Sequence, residues 1–233
     1  MGMIILTIIG SIIIGYGLGC INMSYILSSC MGFDIRKYGS GNAGASNIVI
    51  VIGKRAGLFV ALFDIFKAAI AVLLASLIFR NAVIEDISYA GCIAGAATII
   101  GHICPFYMNF RGGKGLAALG GTILALDYRH FLILLMIAVV IAVVTDYICF
   151  VPIVMAFVFP IWLGYMHSTW IPTAILFIAS MFIWYRHIEN IQRIKAGTEL
   201  KFHFLWNRKS ESERFGIADD GKAVFEHELD KNM

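Results

Sequence analysis

The sequence predicts an all-α membrane protein with about seven transmembrane helices, two of them short. Of its 233 residues, 60% are hydrophobic and 14% are charged, and the mean hydropathy is +0.84. A soluble domain carries roughly 25% charged residues, so this composition indicates a chain embedded in lipid. The net charge of +3 is modest and does not indicate a nucleic-acid partner.

Seven apolar stretches give the predicted helices. They cover about residues 3–31, 56–79, 87–109, 115–126, 130–144, 147–165 and 170–185. The fourth and fifth reach only roughly 18–22 Å, less than the ~30 Å hydrocarbon core. We therefore expect half-helices or a hairpin packed inside the bundle. If this pair does not cross, five spanning helices remain.

Lysine and arginine gather on one side of the predicted membrane domain. With seven crossings, that side holds Arg36, Lys37, Lys54, Arg55, Arg111, Lys114, Arg186, Arg193 and Lys195. The opposite side holds Arg80, Glu85, Asp86, Asp127 and Arg129. Because cytoplasmic loops are rich in cations, the N-terminus is predicted outside and the C-terminus inside. Residues 1–196 form the predicted membrane domain, and residues 197–233 form a polar cytoplasmic tail.

The five cysteines indicate neither a disulfide framework nor a zinc site. No pair has C-x-x-C spacing, and four lie in apolar stretches, where cysteine behaves as a small hydrophobe. The sequence carries no metal or cofactor signature, so we expect no metal and no cofactor.

The first of three polar segments on the cation-rich side is KYGSGNAGASN, residues 37–47. Gly39 and Gly41 permit positive φ angles, which would let successive backbone N–H groups converge on an anion. Ser40 and Asn42 add hydrogen-bonding side chains. The segment is therefore predicted to bind phosphate, with a flexible polar loop as the alternative.

The second segment is NFRGGKGLAALGG, residues 109–121. Arg111 offers a planar fork for bidentate phosphate binding, and Lys114 offers a compact point charge. Gly112, Gly113 and Gly115 would let the backbone wrap a small anion where the next helix begins. A cationic anchor at the membrane surface is the alternative.

The third segment is YRHIENIQRIKAGTE, residues 185–199, which leaves the last predicted span. His187 and Asn190 are three residues apart and share one face if the segment is helical. The histidine is either an interfacial side chain or a catalytic one. Glu199 follows a predicted helix end, from which it can hold a cation of the other segments.

Three further polar side chains lie within or near the ends of predicted spans. Asp64 and Lys67 are three residues apart in the second span, where charges form a mutual ion pair or serve function. His102 is near the end of the third span, where it lines the same cavity or bonds a carbonyl. Together with the three segments, these residues predict a membrane protein that handles phosphorylated substrates, either an enzyme or a transporter.

Five segments in chain order resemble the bacterial acyl-phosphate-dependent glycerol-3-phosphate acyltransferases, the PlsY family. They are GSGNAGASN (39–47), GKRAGLFVALFDIFK (53–67), GHICPF (101–106), FRGGKG (110–115) and HIENI…KAGTE (187–199). The resemblance implies a seven-helix protein of the bacterial plasma membrane with a cytoplasmic active site. It implies acyl transfer from acyl phosphate to the sn-1 hydroxyl of glycerol 3-phosphate, giving lysophosphatidic acid and phosphate. The partners would be these two substrates and membrane lipid, with the chain a monomer.

The resemblance also implies roles for individual residues. Ser40, His187 and Asn190 match catalytic motif positions, residues 112–115 match the glycerol-3-phosphate site, and Glu199 matches a structural glutamate. With the residues considered above, the expected phosphate-binding set is Gly39, Gly41, Asn42, Arg111, Gly112, Gly113, Lys114 and Gly115. The expected structural set is Asp64, Lys67, His102 and Glu199.

Several positions depart from the family's motifs. Ile50 and Ile188 stand where an arginine is usual, and Asp146 and Cys149 stand where a basic residue and a serine are common. Each lost charge-assisted contact would weaken phosphate binding by about 1.5–3 kcal/mol. The alternatives are therefore a divergent paralogue with altered substrate or lost activity, or a transporter of a phosphorylated metabolite. Three other cations are candidates to replace the phosphate contacts of the missing arginines: Arg111, Lys54 and Arg55.

Overall fold

In a computed structural model, the chain is described over residues 2–80, 89–167 and 170–205, and its regular secondary structure there is helical. The helices are α1 (Gly2–Cys20), α2 (Met23–Cys30), α3 (Ala45–Val51), α4 (Lys54–Ile78), α5 (Tyr89–Ile103), α6 (Leu116–Leu126), α7 (Tyr128–Thr145), α8 (Phe150–His167) and α9 (Trp170–Lys195). Short 3₁₀ turns cover Ile35–Lys37, Phe106–Met108 and Phe202–Leu205. The all-α prediction is confirmed for this part of the chain.

Five helical segments of the described residues are long and apolar enough to cross a membrane. They are α1 with α2, α4, α5 with its following turn, α7 and α9, while α6 and the apolar part of α8, Phe150–Met166, are shorter. The prediction that the fifth stretch is short is wrong, because α7 has 18 residues. Asp127 caps its start by accepting the backbone N–H groups of Arg129 and His130, so the helix begins two residues before the predicted apolar stretch.

The predicted first helix, residues 3–31, is broken in two at Ile21 and Asn22. Asn22 has an extended backbone, and its Oδ1 caps α2 by accepting the Tyr25 N–H at 2.9 Å. Its Nδ2 donates to Ala43 O at 3.1 Å, which ties the break to the 37–47 segment. One buried asparagine thus ends a helix that hydropathy alone would continue, because its side chain satisfies backbone groups at the break.

Other helix ends also differ from the predictions. The third predicted helix stops at Ile103, because Pro105 follows, and its predicted start at residues 87–88 lies outside the described residues. The last three residues of the 37–47 segment belong to α3, which was not predicted. The last helix continues to Lys195 rather than stopping at 185, so the whole HIEN stretch is helical.

Small residues let α5 pack at the centre of the bundle. A Cβ atom added to Gly15 would lie 2.2 Å from Ala94 O, and one added to Gly19 would lie 2.4 Å from Thr98 O. All but two of the α5 side chains are buried. This central helix ends at His102 and Ile103, directly beneath the second polar segment, and so fixes where that segment starts.

The beginning of the predicted tail packs against the helices. The backbone N–H of His203 donates to Asp146 Oδ1 at 2.9 Å, and its Nδ1 lies 2.7 Å from Asp146 Oδ2. Phe202 packs against the main hydrophobic core, and Glu199 is 8% exposed. Residues 206–233 of the predicted tail, and Glu85 and Asp86 of the opposite side, lie outside the described residues.

Candidate phosphate-binding site

Asn47 organises the first polar segment from within. Its Oδ1 accepts the Ser40 N–H at 2.8 Å, and its Nδ2 donates to Ile35 O at 3.1 Å and Tyr38 O at 3.0 Å. Gly39 has φ +56°, and a Cβ there would lie 2.3 Å from Asn47 Oδ1. The glycine is therefore required so that the loop can close over this fully buried amide. Sequence reasoning assigned Asn47 no role, although the residue stands within the motif.

The amides of this segment are not arranged as the predicted anion nest. The Ser40 N–H is taken by Asn47, and the Gly41 N–H donates to Tyr38 O at 3.0 Å. Asn42 is half-buried, and its Oδ1 is buried without a hydrogen bond among the described residues. Side chains, rather than the Ser40 and Gly41 amides, are thus what this loop offers to a ligand.

The glycines of the second segment also serve the fold. The Gly112 N–H donates to Ile103 O at 2.9 Å, and the Gly113 N–H donates to His102 O at 3.0 Å. A Cβ on Gly112 would lie 2.1 Å from His102 O, and one on Gly113 would lie 2.1 Å from His102 Nε2. These two amides satisfy the last carbonyls of α5, so their N–H groups do not point toward an anion, and phosphate binding at Gly112 and Gly113 stays a prediction.

Lys114 is the cation that this packing presents. Gly115, at φ +91°, turns the chain into α6, and Lys114 Nζ donates to Asn190 Oδ1. Burial lowers the pKa of Lys114 to about 8, and the positive charge of Arg193 adds to this shift. By contrast, Arg111 is exposed, and its side chain has no ion-pair partner in the described part of the chain.

On α9, His187 and Asn190 are both buried and share one face, as predicted from their spacing. His187 Nδ1 lies 2.7 Å from Ile183 O, so a neutral ring donates there and keeps Nε2 as an acceptor. Asn190 Nδ2 donates to Glu199 Oε1 while its Oδ1 accepts from Lys114. The carboxylate thereby fixes which end of the amide faces the lysine.

Two arginines that sequence reasoning placed only by their side of the membrane join the three segments. Arg193 donates through NH1 to Ser40 O at 3.2 Å, and its Nε lies 3.5 Å from Glu199 Oε2. Arg186 donates through NH2 to Gly112 O at 3.3 Å. The signal was present in the sequence, since Arg186 and Arg193 flank Asn190 at helical spacings of four and three.

A buried charged cluster lies beneath the loops. Lys67 Nζ is 2.6 Å from Asp64 Oδ1, donates to Ile21 O at 2.7 Å and contacts His102 Nδ1 at 3.1 Å. The ion pair expected between Asp64 and Lys67 is thus present, and it extends to the helix break and to α5. Through Gly113, His102 connects this cluster to the second segment.

The positions that depart from the family motifs have distinct surroundings. Ile50 is buried in an apolar cluster with Ile35 and Met108, whereas Ile188 is 54% exposed. Burial raises the pKa of Cys149 to about 11, so this residue is a neutral thiol. Burial opposes ionisation of Asp146, but its hydrogen bonds from His203 outweigh that effect and lower the pKa of Asp146.

The fold and the site together define a helical membrane protein with a half-buried cationic site made from three separate segments. Residues 9–197 match the family model of glycerol-3-phosphate acyltransferases. The chain belongs to this family.

Its relatives include a glycerol-3-phosphate acyltransferase of Thermoanaerobacter pseudethanolicus, 39% identical over 191 residues, which are 81% of this chain and 92% of the relative. Another, from Coxiella burnetii, is 37% identical over 192 residues, which are 82% of this chain and 96% of the relative.

Two solved structures of the integral membrane glycerol 3-phosphate acyltransferase PlsY are also similar. The glycerol 3-phosphate form has 28% identity and a TM-score of 0.75, covering 85% of this chain and 96% of its own. The lysophosphatidic acid form has 27% identity and a TM-score of 0.72, covering 83% and 94%.

Proposed function

We propose that this chain transfers a fatty acyl group from acyl phosphate to the sn-1 hydroxyl of glycerol 3-phosphate, releasing lysophosphatidic acid and phosphate. The observation that carries the proposal is the hydrogen bond from Lys114 to Asn190, linked through Glu199 and Arg193 to Ser40. Groups from all three motif segments therefore meet at one site, the first segment through the backbone carbonyl of Ser40 and the other two through side chains. The ligands named for the two PlsY structures support the same substrate and product here.

In this proposal the phosphate of glycerol 3-phosphate binds beside Lys114. Asn190 holds the lysine, which lies just before the start of α6. The first N–H groups of a helix have no partner within it, so they are available to an anion. Gly39, Gly112 and Gly113 act indirectly, by permitting the close packing that holds Ser40 and Lys114 in place. Arg111 is left as an exposed cation at the rim, available for electrostatic attraction of an anionic substrate.

The transfer step needs positioning and charge stabilisation more than a strong base, because phosphate is a good leaving group. The sn-1 oxygen attacks the acyl carbonyl carbon, and the bond from that carbon to the phosphate oxygen breaks. Inorganic phosphate leaves with the bonding electrons. Ser40 and Asn42 are proposed to hold the head of the acyl phosphate, with its chain among the apolar helices.

His187 and Asn190 are proposed as the residues that act on the reacting hydroxyl. With Nδ1–H donated to Ile183 O, the Nε2 of His187 is the acceptor that faces away from its own helix turn. Asn190 orients the glycerol or stabilises the developing oxyanion. The hydroxyl proton passes either to His187 Nε2 or to a phosphate oxygen of the substrates, two routes that a His187 variant separates.

We also propose that the site faces the cytoplasm of a bacterial plasma membrane, with the N-terminus outside. The cation-rich segments all meet at one end of the bundle, which is the end that the positive-inside rule assigns to the cytoplasm. A transporter would place its substrate near the middle of the membrane between inverted repeats. The clustering of the motifs at one end favours an enzyme.

Product formation tests the proposal directly. Purified protein in detergent is given palmitoyl phosphate and glycerol 3-phosphate, and released phosphate and lysophosphatidic acid are measured together. We expect equal amounts of both products, and none when palmitoyl-CoA replaces palmitoyl phosphate. Product from the thioester donor would contradict the proposed donor, and no product from either donor would favour the divergent paralogue.

A further inference from the structure

One carboxylate lies between two cations that come from different parts of the fold. Glu189 Oε1 is 3.0 Å from Arg193 NH2, and its Oε2 is 3.9 Å from Lys114 Nζ. The Glu189 side chain is 57% exposed, whereas that of Lys114 is 13% and that of Arg193 is 23% exposed. The cations are therefore enclosed by the protein, while the anion that faces them is open to solvent.

Other contacts hold both cations in place without Glu189. Lys114 donates to Asn190, whose amide is fixed by Glu199. Arg193 donates to Ser40 O at 3.2 Å, and its Nε lies 3.5 Å from Glu199 Oε2. Removing the Glu189 carboxylate would thus leave the two cations positioned and facing the same space.

We propose that Lys114 and Arg193 form a single anion-binding site, and that Glu189 is its internal counter-ion, which the substrate phosphate replaces. This inference rests on the proposed function, since it assigns Arg193 as a second phosphate-binding residue. It also gives Glu189 a role in selecting which anions enter.

Charge and geometry explain the replacement. A phosphate monoester carries close to two negative charges at neutral pH and three acceptor oxygens, and the arginine fork suits such an anion. The displaced carboxylate moves into water, where an exposed ion pair costs little to break. A singly charged anion offers no gain over the resident carboxylate, so Glu189 selects for dianions.

The arrangement differs from an ordinary surface ion pair on a helix. Glu189 and Arg193 are four residues apart on α9, a spacing at which such pairs contribute little to stability. Here the same carboxylate also approaches Lys114 from another segment, and the same arginine bonds the Ser40 carbonyl. If Glu189 formed only a surface ion pair on α9, removing its carboxylate would not change anion binding.

The test measures the dissociation constant of inorganic phosphate for the purified full chain, without acyl donor, by calorimetric titration. For Glu189→Gln we expect phosphate to bind about three- to fivefold more tightly, the equivalent of one exposed ion pair. Glu189→Asp keeps the charge and should stay closer to wild type. Arg193→Gln should bind phosphate roughly tenfold more weakly, and Arg193→Lys should recover part of the loss.

Lys195→Gln is the matched control, because it removes an exposed cation from the same last turn of α9 and should leave phosphate binding unchanged. Unchanged or weaker phosphate binding in Glu189→Gln would overturn the inference. This variant decides the matter even if Arg193→Gln does not fold, because Glu189 is exposed and its amide has the same shape.

The two proposals fail in different ways. Tighter phosphate binding by Glu189→Gln in a protein that makes no lysophosphatidic acid would support the anion site and contradict the acyltransferase activity. A protein that makes lysophosphatidic acid while Glu189→Gln binds phosphate as wild type does would contradict the counter-ion alone.

Discussion

Lys114 Nζ donates a hydrogen bond to Asn190 Oδ1, across 76 positions of the chain. The other end of the same amide donates to Glu199, so Asn190 has one orientation and its oxygen faces the lysine. This contact joins the second polar segment to the third.

Replacing Lys114 should weaken substrate binding more than catalysis. Lys114→Ala removes a charge-assisted contact of about 1.5–3 kcal/mol, so we expect the KM for glycerol 3-phosphate to rise roughly 10- to 100-fold. Steady-state kinetics with saturating acyl phosphate checks this, with Lys195→Ala as the control on an exposed cation. An unchanged KM would remove Lys114 from the phosphate site.

Activity should fall at alkaline pH because Lys114 loses its proton. Burial lowers the pKa of this lysine to about 8, and its charged form is the one that binds phosphate. The substrate phosphate, with a second pKa near ~6, stays dianionic throughout this range. We therefore expect kcat/KM to decline as pH rises through about 8.

Lys114→Arg is the control for this pH dependence, because an arginine stays charged at every accessible pH. Its decline in kcat/KM should move to higher pH. The same alkaline limb in Lys114→Arg as in wild type would assign the titration to another group.

Replacing His187 should lower turnover with little change in substrate binding. In His187→Gln the amide can still donate to Ile183 O, but the basic Nε2 is lost. If His187 takes the hydroxyl proton, kcat should fall by about 10²–10⁴. A loss of threefold or less, in a variant that unfolds at the wild-type temperature, would identify a substrate phosphate as the proton acceptor.

An added methyl group at Gly113 should disturb the site through packing. In Gly113→Ala the Cβ would lie 2.1 Å from His102 Nε2, so either the ring or the loop that carries Lys114 must move. We expect a lower unfolding temperature and a higher KM for glycerol 3-phosphate. Gly17→Ala is the control, since a Cβ there meets no atom within 4 Å, and it should neither lower the unfolding temperature nor raise the KM.

Breaking the buried ion pair should destabilise the bundle. Lys67→Met leaves the Asp64 carboxylate buried without its 2.6 Å partner, at a cost of about 3–5 kcal/mol of unfolding free energy. The double variant Asp64→Asn with Lys67→Met removes both charges and should be more stable than Lys67→Met alone. Denaturant unfolding compares them, and a single variant as stable as wild type would contradict this role.

Sequence reasoning reached the helices and the polar segments with unequal success. Long apolar stretches predicted α4 and α9, because burial in lipid requires such stretches and little else. Hydropathy missed the break at Asn22 and the two residues that precede the predicted start of α7, since each depends on one side chain capping backbone groups. Capping residues have no effect on a hydropathy average.

The candidate site also has features that the sequence predicted and features that it did not. The spacing of His187 and Asn190 was enough to predict their shared helix face. It was not enough to select Arg193 over Arg111, because both are cations beside a motif. The difference is that Arg193 lies within reach of Ser40, which follows from how α9 packs against the first segment.

By itself the sequence determined that this is an all-α membrane protein of the glycerol-3-phosphate acyltransferase family, because lipid restricts composition and the motif residues stand in order along the chain. Only the tertiary structure decided which groups remain for a ligand. The amides of Gly112 and Gly113 are used by the carbonyls at the end of α5, while Lys114 is held toward Asn190. A hydrogen bond is satisfied by whichever partner folding brings near, and for residues far apart in the chain that partner is set by helix packing.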